Sequence, residues 1–295
     1  MFDRMLGYYL VEQGRLTGEQ IKQVYEKQAI DRARLGVIAV TEKLMSIPQA
    51  EHINSLQSTH DKFFGDLAIE LGYLSPEQVS RLLDKQGNEF MAFSQALVDL
   101  GFMTLQEISE LSLEYASKYG LMESDIDALR CNDISRIVPI FTKDADEKTV
   151  KMLTIAVKNV YRLIDQHVTI GYLEKRENVS GECVGYQKTI GRDKLCNSIS
   201  GSYTDLQKVA MSYTKEEFIE TREDVLDALC EFINCTNGIY VTQEISDSEM
   251  IDLEPPVYIT HFTNIKAPVV YSLPVFCTNA NIFINISDST KTEIG

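Results

Sequence analysis

Apolar and polar positions recur in one register four times over the first 115 residues. A shift of 29 residues brings Gly7, Gly36, Gly65 and Ser94 into one column, and Leu6, Leu35, Phe64 and Phe93 into the column before it. Gly14, Lys43, Gly72 and Gly101 form a second column, with Thr17, Ser46, Ser75 and Thr104 three residues further on. Each of these hydroxyl residues is followed three positions later by Gln20, Gln49, Gln78 or Glu107. That pairing is a capping box, which satisfies the free N–H groups of a helix start from both sides. Glycine in three of the four copies ends the preceding short helix in a left-handed turn, and Pro76 sits at a first helical position that needs no donor. Ile21, Val24 and Tyr25, like Val79, Leu82 and Leu83, give the i, i+3, i+4 apolar face of a second helix. Units this short cannot bury that face alone, so neighbouring units must stack. The expectation is an all-α repeat domain of four 29-residue helix-turn-helix units over residues 1–120.

The pattern changes near Lys118. Gly120, Asn132 and the acidic run Asp144-Ala-Asp146-Glu147 suggest a linker over 121–145. Val150, Leu153, Val157, Val160 and Leu163 then predict a helix over 149–165. From Val168 to Tyr172 the residues become β-branched and aromatic, and further strand signals lie at 181–189, 195–203, 238–243, 269–274 and 282–286. Two capping boxes, Thr214 with Glu217 and Thr221 with Asp224, separate them. Residues 146–295 are therefore expected to form an α+β domain, an antiparallel sheet with helices on one face. In the helix after Thr221, residues Val225, Leu226, Leu229, Phe232 and Ile233 face inward. Asp227, Glu231 and Asn234 fall together on the opposite stripe, and Gly238 is placed to end the helix.

Composition narrows the function. A formal net charge of −16 opposes attraction to nucleic acid or anionic lipid, both of which call for clustered Lys and Arg. The chain contains no run of about 18 apolar residues, so no membrane insertion is expected. The opening MFDRMLGYYL does not read as a leader peptide, which makes the expected location cytoplasmic. Six scattered cysteines without a Cys-x-x-Cys pair read as free thiols, and the four histidines form no metal motif. No metal site is expected in this chain.

The string EDVLDALCEFINCTNG carries more information than its periodicity. It resembles the signature helix of the CheC/CheX/FliY chemotaxis phosphatases, in which Asp or Ser precedes Glu by four and Asn follows three later. Asp227, Glu231, Asn234 and Gly238 occupy the matching positions. The resemblance spans residues 146 to about 290, and Pro255 and Pro256 lie one or two residues early of the family's proline. It implies hydrolysis of an aspartyl phosphate on a CheY-like receiver domain, with Glu231 and Asn234 as catalytic residues and Asp227 and Glu231 as partner-binding residues. Asn234 would position the attacking water and Glu231 would meet the receiver's active-site lysine, while Mg2+ would be supplied by the receiver. The 149–165 helix lacks a Glu-x-x-Asn pair, so one active helix is expected, as in CheX. A homodimer through joined sheets is a further implication.

The N-terminal repeats, with Arg34-Leu35-Gly36 and FGDLAIELGYLSPEQVSRLLDKQ, resemble those in the N-terminal domains of type II secretion and pilus-assembly ATPases. Some of those domains bind cyclic di-GMP through a repeat opening Arg-Leu-Gly. The resemblance makes Arg34, Leu35 and Gly36 candidate cyclic dinucleotide ligands, against the alternative of a packed scaffold that docks a protein. With it stands a second functional reading, a non-catalytic signalling adaptor.

Overall fold

The computed structural model describes residues 1–30, 33–57, 62–244 and 250–295. The chain divides into two compact units, Met1–Asn132 and Asp133–Gly295.

The first unit is helical. Its elements are α1 (Phe2–Glu12), α2 (Gly18–Ile30), α3 (Leu35–Thr41), α4 (Ile47–Gln57), α5 (Phe64–Glu70), α6 (Pro76–Asp84), α7 (Glu89–Asp99), α8 (Leu105–Tyr119) and α9 (Glu123–Arg130). The even-numbered helices α2, α4, α6 and α8 begin 29 residues apart. Each is entered through a reciprocal side-chain cap: Thr17 with Gln20, Ser46 with Gln49, Ser75 with Gln78, Thr104 with Glu107. The turns before them hold Gly14, Gly72 and Gly101 at φ of 66 to 70°, and Lys43 at 57°. Lys43 therefore adopts the left-handed conformation that glycine takes in the other three turns, a conformation that costs a side chain roughly 1 kcal/mol. The second glycine column has a different role. A Cβ at Gly36 would lie 2.9 Å from the Phe64 ring, and one at Gly65 would lie 2.8 Å from Val79. These glycines let helices approach closely.

Residues 121–145, expected to be a linker, contain α9 and then α10 (Ile134–Phe141). Ile126, Ala128 and Leu129 of α9 and Ile134, Ile137, Val138 and Phe141 of α10 are buried, so both helices are held by amphipathic packing. Asn132, at φ 52°, is the turn between them rather than part of an extended connector.

The second unit continues with α11 (Glu147–Leu163), β1 (Thr169–Ile170), β2 (Glu174–Gly181), β3 (Cys183–Gly191), β4 (Leu195–Gly201), α12 (Tyr203–Thr214) and α13 (Arg222–Glu244). It closes with β5 (Ile251–Leu253), β6 (Val257–Ile259), β7 (Thr263–Phe276), β8 (Asn281–Asp288) and β9 (Glu293–Ile294). The sheet runs β1-β7-β8-β4-β3-β5, with β2 and β9 on β7 and β6 on β3. Every pairing is antiparallel. Alternation along β3 sorts the faces. Gly185 lies under α13, with Ile233, Cys230 and Leu229 around the place of its missing Cβ. Val184 and Tyr186 point the other way, into a cluster with Val179 of β2 and Ile265, Ala267 and Val270 of β7. The helices take one face, and β2 with the first half of β7 folds over the other. The polar sequence of β2 hid this strand, because most of its side chains are exposed.

Three local expectations fail here. Gly238 does not end α13, and residues 238–243 are helix rather than strand. The reason is Tyr240, fully buried, whose hydroxyl donates to Asp193 at 3.0 Å and holds the last turns against the β3–β4 connection. Thr214 caps no new helix; it is the last residue of α12, and its hydroxyl donates back to the Ala210 carbonyl.

Candidate functional site on helix α13

Thr221 caps the start of α13, its Oγ1 accepting from the Asp224 amide at 3.1 Å. Arg222 then stacks on the Tyr203 ring and donates to the Thr260 carbonyl, so the first turn is fixed to its surroundings. Val225, Leu226, Leu229, Phe232 and Ile233 are buried, each contributing about 1.5–3 kcal/mol of hydrophobic stabilisation. With that face inward, Asp227, Glu231 and Asn234 are all exposed on the opposite side. At the rise of an α-helix they span about 10 Å along the axis, a length suited to one protein contact. Cys235 is also exposed beside Asn234.

The far end of α13 is tied down by charge. Burial pushes the Asp193 carboxyl up, but hydrogen bonds from Arg192, Lys148 and Tyr240 outweigh it and lower it to about 2. Arg192 also donates to Glu244 at 2.8 Å, and Glu244 pairs with Lys151 of α11. The stripe therefore sits on a helix held at both ends.

Asn234 is exposed but not isolated. Its Oδ1 accepts a hydrogen bond from Gln187 Nε2 of β3 at 2.7 Å. Gln187 Nε2 also donates to the Glu254 carbonyl at 2.8 Å, immediately before Pro255 and Pro256. Behind it, Asn237 Nδ2 donates to Gln187 Oε1 at 2.9 Å and Asn197 Nδ2 donates to Asn237 Oδ1 at 2.8 Å. Gln187, Asn237 and Asn197 are each no more than 2% exposed. Sequence reasoning did not single out Gln187. The available signal was its place in β3, two residues from Gly185 on the face that meets α13.

One aromatic side chain shares the sheet face on which α13 lies. Tyr258 of β6 pairs with Gly185, so it points to the helix side of the sheet, and it is exposed.

The three candidate nucleotide ligands lie in the first unit. Arg34 precedes α3, its exposed guanidinium 3.6 Å from Asp99. Its backbone amide donates to Gln95 at 3.1 Å. Gly36 is packed beneath Phe64, so its backbone serves a helix crossing.

No family model matches this chain, and no curated protein matches it. Solved structures similar to its C-terminal half include the chemotaxis protein CheX from Desulfovibrio desulfuricans, at 12% identity over 48% of this chain and 99% of that one, with a TM-score of 0.42. The CheX-CheY-BeF3-Mg2+ complex from Borrelia burgdorferi is similar at 19% identity, covering 48% and 97% of the two chains, with a TM-score of 0.41. A CheC-like superfamily protein from Shewanella sp. PV-4 is similar at 16% identity, covering 50% and 99%, with a TM-score of 0.42.

Proposed function

We propose that this protein hydrolyses the aspartyl phosphate of a CheY-like receiver domain, with α13 inserted against the receiver's phosphorylation site. The observation that carries the reading is the exposure of Asn234 on the same stripe as Glu231 and Asp227, at the spacing of the phosphatase signature helix.

An aspartyl phosphate is already activated, because its leaving group is a carboxylate. Hydrolysis needs a water in line with phosphorus and compensation of charge on the phosphoryl oxygens. The water oxygen forms the new bond to phosphorus, the bond from phosphorus to the receiver's carboxylate oxygen breaks, and the water proton leaves with inorganic phosphate. Asn234 supplies both geometric requirements. The second lone pair of its Oδ1 accepts a hydrogen from the water, turning the water's own lone pair to phosphorus, and Nδ2 donates to a phosphoryl oxygen. Glu231 pairs with the receiver's active-site lysine and Asp227 extends the contact, setting the register of the two proteins. Mg2+ held by the receiver's carboxylates offsets the phosphate charge. The exposed Tyr258, on the sheet face that carries α13, gives the docked receiver an apolar contact. A homodimer through the sheets belongs to the same reading.

The test is phosphate release from phosphorylated receivers of the same organism, with and without this protein. Acceleration that disappears in Asn234→Ala is expected. Binding of a receiver without faster release would instead favour the adaptor reading.

A further inference from the structure

We infer that Gln187 is a positioning residue that fixes which way the Asn234 carboxamide faces. The consequence for catalysis rests on the phosphatase reading, whereas the orientation itself rests on the hydrogen-bond chain alone.

The terminal torsion of an asparagine is soft, and an exposed carboxamide ordinarily interchanges its oxygen and its nitrogen. The chain behind Asn234 removes that freedom. A backbone carbonyl can accept but never donate. The group of Gln187 lying 2.8 Å from the Glu254 carbonyl is therefore its NH2, and the second N–H of that NH2 points to Asn234 at 2.7 Å. A donor must meet an acceptor, so Asn234 turns Oδ1 inward and Nδ2 outward. The other side of Gln187 agrees, since Oε1 accepts from Asn237 Nδ2 and Asn237 Oδ1 accepts from Asn197 Nδ2. The relay stops at Asn197, whose Oδ1 is buried without a partner, so its direction is imposed from the Glu254 end. Turning Gln187 over would set its oxygen against a carbonyl oxygen and its nitrogen against another NH2. Each mismatch would leave like groups facing one another away from water, which holds one orientation.

Locked this way, Asn234 presents two N–H donors to solvent and keeps one Oδ1 lone pair at the edge of the site. That is the arrangement that can grip a phosphoryl oxygen while accepting from a water. Gln187 touches neither. It acts through Asn234.

The deciding experiment uses the full chain with selectively 15N-labelled asparagine and compares wild type with Gln187→Leu and Gln187→Glu. The first variant removes the relay; the second keeps the shape of the side chain and loses its donors when ionised. Relaxation of the Asn234 side-chain NH2 is expected to report a rigid group in wild type and a mobile or reoriented one in both variants, with the backbone spectrum of α13 retained. Single-turnover release from a phosphorylated receiver is expected to show kcat lowered about tenfold with KM for the receiver unchanged. Gln187→Leu combined with Asn234→Ala should be no slower than Asn234→Ala alone. Equal mobility of the Asn234 amide in all three proteins overturns the inference, as would losses that multiply in the double variant. If wild type accelerates release from no receiver, the phosphatase reading falls, and the relaxation data still decide the role of Gln187.

Discussion

Asn159 of α11 donates through Nδ2 to Thr236 Oγ1 of α13 at 3.0 Å, and both side chains are buried. The asparagine of the first long helix is thereby committed to packing two helices together. It cannot be offered to a receiver, whereas Asn234, two residues before Thr236, is exposed. Two asparagines that look alike in sequence have opposite environments.

Their replacement separates stability from activity. Asn159→Ala is expected to lower stability by about 1 kcal/mol, the net value of one buried hydrogen bond, and to leave phosphate release unchanged. Asn234→Ala removes the acceptor of one Gln187 hydrogen bond at a position that water can reach, so it is expected to lower stability by no more than Asn159→Ala does and to slow release about a hundredfold. Thermal unfolding and phosphate release on the same two variants check the pair.

Glu231 should act through docking. Glu231→Ala is expected to raise KM for the phosphorylated receiver about tenfold while changing kcat much less, because an ion pair at the contact registers the surfaces before chemistry. Raising salt should weaken the wild-type interaction more than that of the variant. A titration of receiver at two ionic strengths measures both.

Thiol reactivity offers an independent view of the stripe. Burial pushes the Cys196 and Cys230 thiols up to about 12, whereas Cys131 and Cys235 are exposed. A thiol-reactive reagent is expected to label Cys131 and Cys235 quickly in the native protein and Cys196 and Cys230 only on unfolding. A bulky maleimide at Cys235, beside Asn234, should block phosphate release, and Cys235→Ser should make the protein indifferent to the reagent. Mass spectrometry of labelled peptides alongside the activity assay tests both parts.

Acid sensitivity is expected from Asp193. Its carboxyl lies at about 2 in the folded protein against an ordinary 3.8, so its contribution is complete above about pH 4 and disappears as the pH falls through 2. The shift corresponds to about 2 kcal/mol. Asp193→Asn should therefore be less stable than wild type at neutral pH by about that amount, and the difference should shrink toward pH 2. Denaturant unfolding at several pH values measures the convergence.

What could be read in advance depended on the range of the interactions involved. The left-handed turns at Gly14, Gly72 and Gly101 and the cap at Thr221 were legible because each is set by residues within four positions, whereas the same turn at Lys43 carried no glycine to announce it. The exposed stripe of α13 was legible from the spacing of Val225, Leu226, Leu229, Phe232 and Ile233. The extension of the helix past Gly238 was not, since Tyr240 is held by Asp193 from 47 residues away. Helices α9 and α10 were hidden by Asn132 and the acidic run after them, which read as a connector although their apolar residues recur at helical spacing. Strand β2 gave no hydrophobic alternation because its pairing partner β7 holds it largely in solvent. Gln187 escaped notice for a similar reason: its meaning comes from Asn234, Asn237 and the Glu254 carbonyl, which meet it only in the folded chain.

The most direct test of the account is the rate of phosphate loss from phosphorylated CheY-like receivers, measured one by one with wild type and Asn234→Ala at equal concentration. The account predicts that at least one receiver loses phosphate markedly faster with wild type, and at its own autodephosphorylation rate with the variant. Equal rates of phosphate loss with both proteins for every receiver would contradict it.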